Sequence, residues 1–257
     1  MHAKKNSAFT AVAFVLGIAT LLAAPLANAY AVKTTSRGWP VRWNSNEVRI
    51  VLDSSLAAIG PQEDIENLVI SAFYEWTDAA QLPVEFSFVS ADCGGMGHDS
   101  NGDNENCVLV DSAAFEGSKA AARCVMTYDD YNGNIKDADI IINPNVAKWA
   151  LDETQEGYDL RTAVLHEVGH LLGLSHSEQD PSVMTPEIST HRSTRNLFND
   201  DIDGASVLYN EMESFSEYNC SVTTPGKEKA NTGLVFFLLF IGLVTVRRFF
   251  VSGVGRR

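Results

Sequence analysis

The chain has 257 residues and a formal charge of −14, a length that allows one or two domains. The asymmetry is larger inside: residues 30–216 hold 11 Lys and Arg against 31 Asp and Glu, a body of about −20 that is not expected to bind nucleic acid or an anionic membrane surface. Segments read as targeting signals at both ends reduce the expectation to one folded domain, 30–216, taken as a monomer.

Residues 1–29 read as a secretory signal. Lys4 and Lys5 give a basic start, Phe9 to Leu22 is an apolar run, and Ala27-Asn28-Ala29 is a small-residue cleavage site. Cleavage there leaves Tyr30 as the new N-terminus. Val41 to Leu52 alternates apolar and polar through Val48, Ile50 and Leu52, which predicts a strand. Pro61 to Ala80 predicts a helix: Pro suits the first turn, and Ile65, Leu68, Val69, Ala72, Phe73 and Trp76 recur at helical spacing. Val84 to Val89 predicts a second strand.

Four cysteines in an exported chain point to disulfides. Cys93 and Cys107 bracket a loop rich in Gly, Asn and Asp and form the favoured pair. Cys124 with Cys220 follows only by elimination. Within the first loop, Asp99, Asn101, Asp103 and Glu105 place oxygen side chains at alternate positions around Gly102. That spacing partly matches a calcium loop but lacks the full twelve-residue pattern, so a solvated turn is the competing reading.

Cys124 to Tyr128 predicts a further strand, and Asn132-Gly133 a turn. Ile135 to Asn143 predicts the next strand, ended by Pro144 and Asn145. Asp159 is placed to cap a helix, and that helix carries the densest chemistry in the chain.

Half of the six histidines fall within the eleven residues His166 to His176, which read H-E-x-x-H-x-x-G-x-x-H. On a helix, His166 and His170 leave from one face. Two neutral imidazoles there can hold one Zn²⁺ at about 2.0–2.1 Å. Gly173 can adopt the left-handed conformation that ends a helix and turns the chain back. That reversal brings His176 in as a third nitrogen. Three protein ligands leave one position open, the mark of a catalytic zinc. Glu167, next to a ligand, can take the proton of a water in that open position. His98 and His191 read as surface residues, and no Cys lies close enough in sequence to suggest thiolate ligation.

With this motif, the sequence resembles the metzincin metallopeptidases. Ser182-Val183-Met184-Thr185-Pro186 looks like their Met-turn, which implies Met184 under the zinc. Met-x-Pro, His176-Ser177 and the later Asn199-Asp200-Asp201-Ile202-Asp203-Gly204 with Leu208-Tyr209 resemble the matrixin branch, over roughly Gly38 to Met212. The Cys-bearing prodomain motif of animal matrixins is not found. The resemblance implies an α+β fold: a twisted mixed sheet with two long helices, a zinc cleft, and a small irregular C-terminal subdomain after Gly173. It implies that Ile135–Asn143 is the edge strand above the cleft, where an extended substrate pairs. It also implies that an Asp at 200 or 201 can pair with the ammonium of Tyr30. The activity implied is zinc-dependent hydrolysis of peptide bonds.

Residues 217–232 read as a linker. Gly233 to Val246 is apolar but for two Gly and one Thr, and Arg247-Arg248 begin a basic end. The 233–257 segment is expected to anchor in a membrane or to serve as a sorting tag. The protein is therefore expected outside the cytoplasm, at the surface, in a periplasm or in the medium. The competing function is a non-catalytic zinc- or calcium-binding adhesion module, against which an intact Glu167 argues.

Overall fold

A computed structural model describes residues 30–93, 104–146, 148–186 and 194–211. The chain divides into two units, Met1–Ser214 and Phe215–Arg257, and every described residue lies in the first. The signal (1–29), the linker, the 233–246 run, Cys220 and loop residues Asp99, Asn101 and Asp103 lie outside the described residues.

The elements in order are β1 (Glu47–Leu52), α1 (Gln62–Ala80), β2 (Glu85–Ser90), β3 (Asn106–Val110), β4 (Ala122–Tyr128), β5 (Ile135–Ile142), the short β6 (Trp149–Ala150) and β7 (Tyr158–Asp159), α2 (Leu160–Leu171) and α3 (Asn199–Ser206). Five strands form one mixed sheet in the order β2-β1-β3-β5-β4. All neighbours are parallel except β4, which runs antiparallel to β5.

Helix α1 buries Ile65, Val69, Ala72, Phe73, Trp76 and Ala80, one stripe at helical spacing, with Glu63 and Asp64 in its first turn. It ends at Gln81 in the left-handed conformation, φ 51°. Helix α2 begins at Asp159, whose carboxylate accepts the Thr162 N–H at 2.7 Å. Both long helices cover the same sheet face, where Ile50, Leu52, Ile140 and Ile142 meet Trp76 and Leu165 in one core. The other face buries Val51, Leu109, Phe115 and Ile141 in a smaller cluster, closed by the disulfide Cys93–Cys107. Cys124 bonds no other described cysteine.

Three expectations are adjusted. The edge strand is β4, not Ile135–Asn143. Strand β5 is flanked on both sides, by β3 and β4, and is buried along nearly its whole length; a strand covered on both faces reads as a continuous apolar run. The strand expected from Val41 starts only at Glu47, because Val41 and Arg42 pair with Lys33 and Gly133 instead. Strand β3, central in the sheet, is added.

The reversal after α2 is as expected. Gly173 has φ 102°, and a Cβ there would collide with the Val41 carbonyl. Carbonyls at the end of α2 are met by buried side chains: Trp43 Nε1 donates to Leu171 O at 3.0 Å, and Tyr209 OH to Leu172 O at 2.8 Å.

Candidate metal centre

His166 and His170 leave α2 one turn apart, and the chain reversal at Gly173 returns His176 to meet them. One ligand atom from each lies within 4.8 Å of the others. The ring centroids are 4.7, 4.8 and 5.2 Å apart. Two rings are fixed from behind: His166 Nδ1 is 2.7 Å from Val183 O, and His170 Nδ1 is 2.9 Å from Leu174 O. A carbonyl can only accept, so Nδ1 carries the proton in both and Nε2 is left as the ligand atom. Burial lowers all three imidazole pKa values, that of His166 to about 4, so the rings are neutral at ordinary pH.

Glu167 points into the same cleft. Burial raises its pKa to about 8, opposed by a hydrogen bond from the Cys124 N–H. Its Oε2 is buried with no hydrogen-bond partner. A buried acceptor left open costs free energy unless something else occupies it. Three neutral nitrogen donors converging on one point, with an orphaned carboxylate oxygen alongside, fit a zinc ion with an open position. The cleft encloses about 490 Å³, and its walls include Ala122–Cys124 of β4, Tyr158 and Pro186.

Met184 is buried against the turn of α2 that carries Gly169. A Cβ on Gly169, between the two helical histidines, would overlap Met184 Sδ. The turn that carries Met184 is held by Asp201 at the start of α3. Asp201 is buried, and its carboxylate accepts from Ser182 Oγ, from Val183 N at 3.0 Å and from Phe198 N at 2.9 Å. Asp200 accepts from Ser177 Oγ at 2.6 Å, next to His176. Tyr30 packs on α3, since a Cβ on Gly204 would lie 2.9 Å from Tyr30 Cβ.

The structure thus brings together His166, Glu167, His170, His176 and Met184. Of the candidate calcium residues only Glu105 is described, and it pairs with Arg49 at 3.5 Å. The support from Asp201, the N–H of Cys124 and the clamp of Arg195 on Asp159 at 2.6 Å were not read from the sequence. The acidic pair that opens α3 was the one available signal for the first.

A family model described as matrixin matches residues 42–210. The chain is similar to Metalloendoproteinase 2-MMP of Arabidopsis thaliana, 39% identical over 75 residues, 29% of this chain and 20% of the relative. It is similar to Metalloendoproteinase 4-MMP of the same plant, 28% identical over 162 residues, 60% and 42%. It is also similar to human (Homo sapiens) Matrix metalloproteinase-19, 29% identical over 145 residues, 54% and 24%. The chain spans less than half the length of each of these relatives. The family match, the α+β architecture and the histidine cluster agree: the chain belongs to the matrixin family.

Proposed function

We propose that the chain is a zinc-dependent endopeptidase acting on protein or peptide substrates. The observation that carries this is the convergence of three back-anchored imidazoles beside the open Oε2 of Glu167 in one cleft. His166, His170 and His176 would hold the metal. Zinc bound there supplies Lewis acidity, polarising the scissile carbonyl and lowering the pKa of the attacking water. Glu167 takes that water's proton on Oε2 and passes it to the leaving amine. Its other oxygen is steadied by the Cys124 N–H. The substrate lies extended along edge strand β4 and pairs through its backbone. The Cys124 thiol in the cleft is no nucleophile: burial pushes its pKa well up, so no thiolate is present to form an acyl-enzyme.

Export belongs to the same proposal. The 1–29 segment directs secretion, and the Cys93–Cys107 disulfide fits an oxidising compartment. Residues 233–257 hold the protein at a membrane or are removed as a sorting tag. Among the described residues no helix is long and apolar enough to cross a membrane. After cleavage, the new ammonium of Tyr30 would pair with Asp200, which lies on the helix Tyr30 packs against. Calcium in the 99–105 loop is carried by the residue pattern alone.

Casein or gelatin hydrolysis by the purified full chain tests the reading. Activity should vanish with a zinc chelator and return on adding zinc. A zinc-loaded, folded protein that cuts neither would favour the non-catalytic adhesion module.

A further inference from the structure

Arg123 stands on β4 between Ala122 and Cys124 and lines the cleft together with the three histidines and Glu167. Its guanidinium lies over the ring of Phe115, 4.6 Å from the centroid, and Phe115 is itself buried. Stacking of this kind fixes the plane of the guanidinium while leaving its N–H edges free to donate. Among the described residues no carboxylate forms an ion pair with it, although Glu167 feels its charge. Arg37, Arg49, Lys136, Arg161 and Arg195 all have such partners. In a body with 31 acids and 11 bases, an arginine held in place in the cleft without an ion pair is positioned to take a carboxylate from a bound peptide. Lys119 lines the same cleft and adds to the positive charge.

The strand register says where that charge acts. Cys124 packs on the helix side of the sheet, and its N–H reaches Glu167. Successive side chains alternate faces, so Arg123 projects from the other face, one residue from the position that contacts the proton acceptor. A peptide paired with β4 also alternates its side chains. One side chain next to the bond to be cut therefore falls on the Arg123 face.

We propose that Arg123 determines substrate preference, selecting peptides with an acidic side chain beside the scissile bond. This rests on the peptidase reading above. A carboxylate can take two parallel hydrogen bonds from the free guanidinium edge. A lysine at the same substrate position meets repulsion, which sharpens the choice.

Three peptides that differ only by Glu, Gln or Lys at positions flanking the cut site provide the test. The zinc-loaded full chain should cleave the Glu peptide with a kcat/KM roughly tenfold above the Lys peptide. Arg123→Glu should reverse that order, and Arg123→Gln should level it while the Gln peptide is still cut. Equal rates on all three peptides would overturn this inference and leave the peptidase reading standing. Loss of activity on all three by the same factor in both variants would overturn it too, and would assign Arg123 to supporting Glu167. Failure of the zinc-loaded wild type to cut any of them would overturn both.

Discussion

Gly169 and Met184 fit one another without spare room. A Cβ at position 169 would overlap the Met184 sulfur and come within 2.9 Å of Trp76 Cζ2. Position 169 is helical, so glycine is kept there against its propensity, at about 1 kcal/mol relative to alanine. Gly169→Ala should nevertheless destabilise the fold by about 1–3 kcal/mol through overpacking. It should also shift the turn that orients His166. Thermal unfolding with and without zinc measures this, and an unchanged or raised midpoint would contradict it.

Asp201 acts on the metal site at one remove. It holds the Val183 N–H, and the Val183 carbonyl holds His166. Asp201→Asn replaces an acceptor-only group with one that must place an NH₂ against donors. Zinc affinity should fall by about 10- to 100-fold, as for other groups that orient a ligand histidine. Competition against a chromogenic chelator reads this directly. Wild-type affinity in a folded variant would show that the turn needs no anchor.

The metal-free protein should respond to pH in two opposite ways. The histidines have folded pKa values below the ordinary 6.5, so their contribution to stability is present above 6.5 and lost as pH falls below it, for His166 through about 4. Glu167 has a folded pKa of about 8, above its ordinary 4.5, so its contribution is full below 4.5 and lost as pH rises through 8. Metal-free Glu167→Gln should therefore unfold at a higher temperature than metal-free wild type at pH 9, with the difference gone at pH 4. Equal midpoints at pH 9 would mean that Glu167 is not desolvated.

The tail reading also makes a prediction. On the proposed reading the apolar run 233–246 lies in a membrane or is removed, since an uncovered run of that length would aggregate in water. The full precursor should fractionate with membranes until processed, and a chain ending at Met212 should be soluble and still cut peptides. Intact 30–257 chain recovered soluble from the medium would contradict both the anchor and the sorting tag.

The zinc cluster was legible in the sequence because its geometry is local. His166 and His170 are one helical turn apart, and Gly173 marks the reversal that returns His176. The cap at Asp159 and the disulfide Cys93–Cys107 were legible for the same reason. The sheet order was not. Ile135–Ile142 and Ala122–Tyr128 are adjacent in sequence, and which of them lies outside depends on β3, a pairing across about 30 residues that no local pattern encodes. The richer apolar run was the clue, since an interior strand needs both faces covered. The acidic pair Asp200-Asp201 has the charge that suits a helix start, but the work of Asp201 on Val183 spans 18 residues and shows only in the fold.

The central claim is that Glu167 moves a proton and does not hold the metal. Glu167→Ala, purified as the full chain, should retain one zinc per chain by metal analysis while peptide hydrolysis falls by about 10²- to 10⁴-fold or more. Loss of stoichiometric zinc in that variant would make Glu167 a ligand, and retained turnover would remove it from the chemistry; either result would contradict the account.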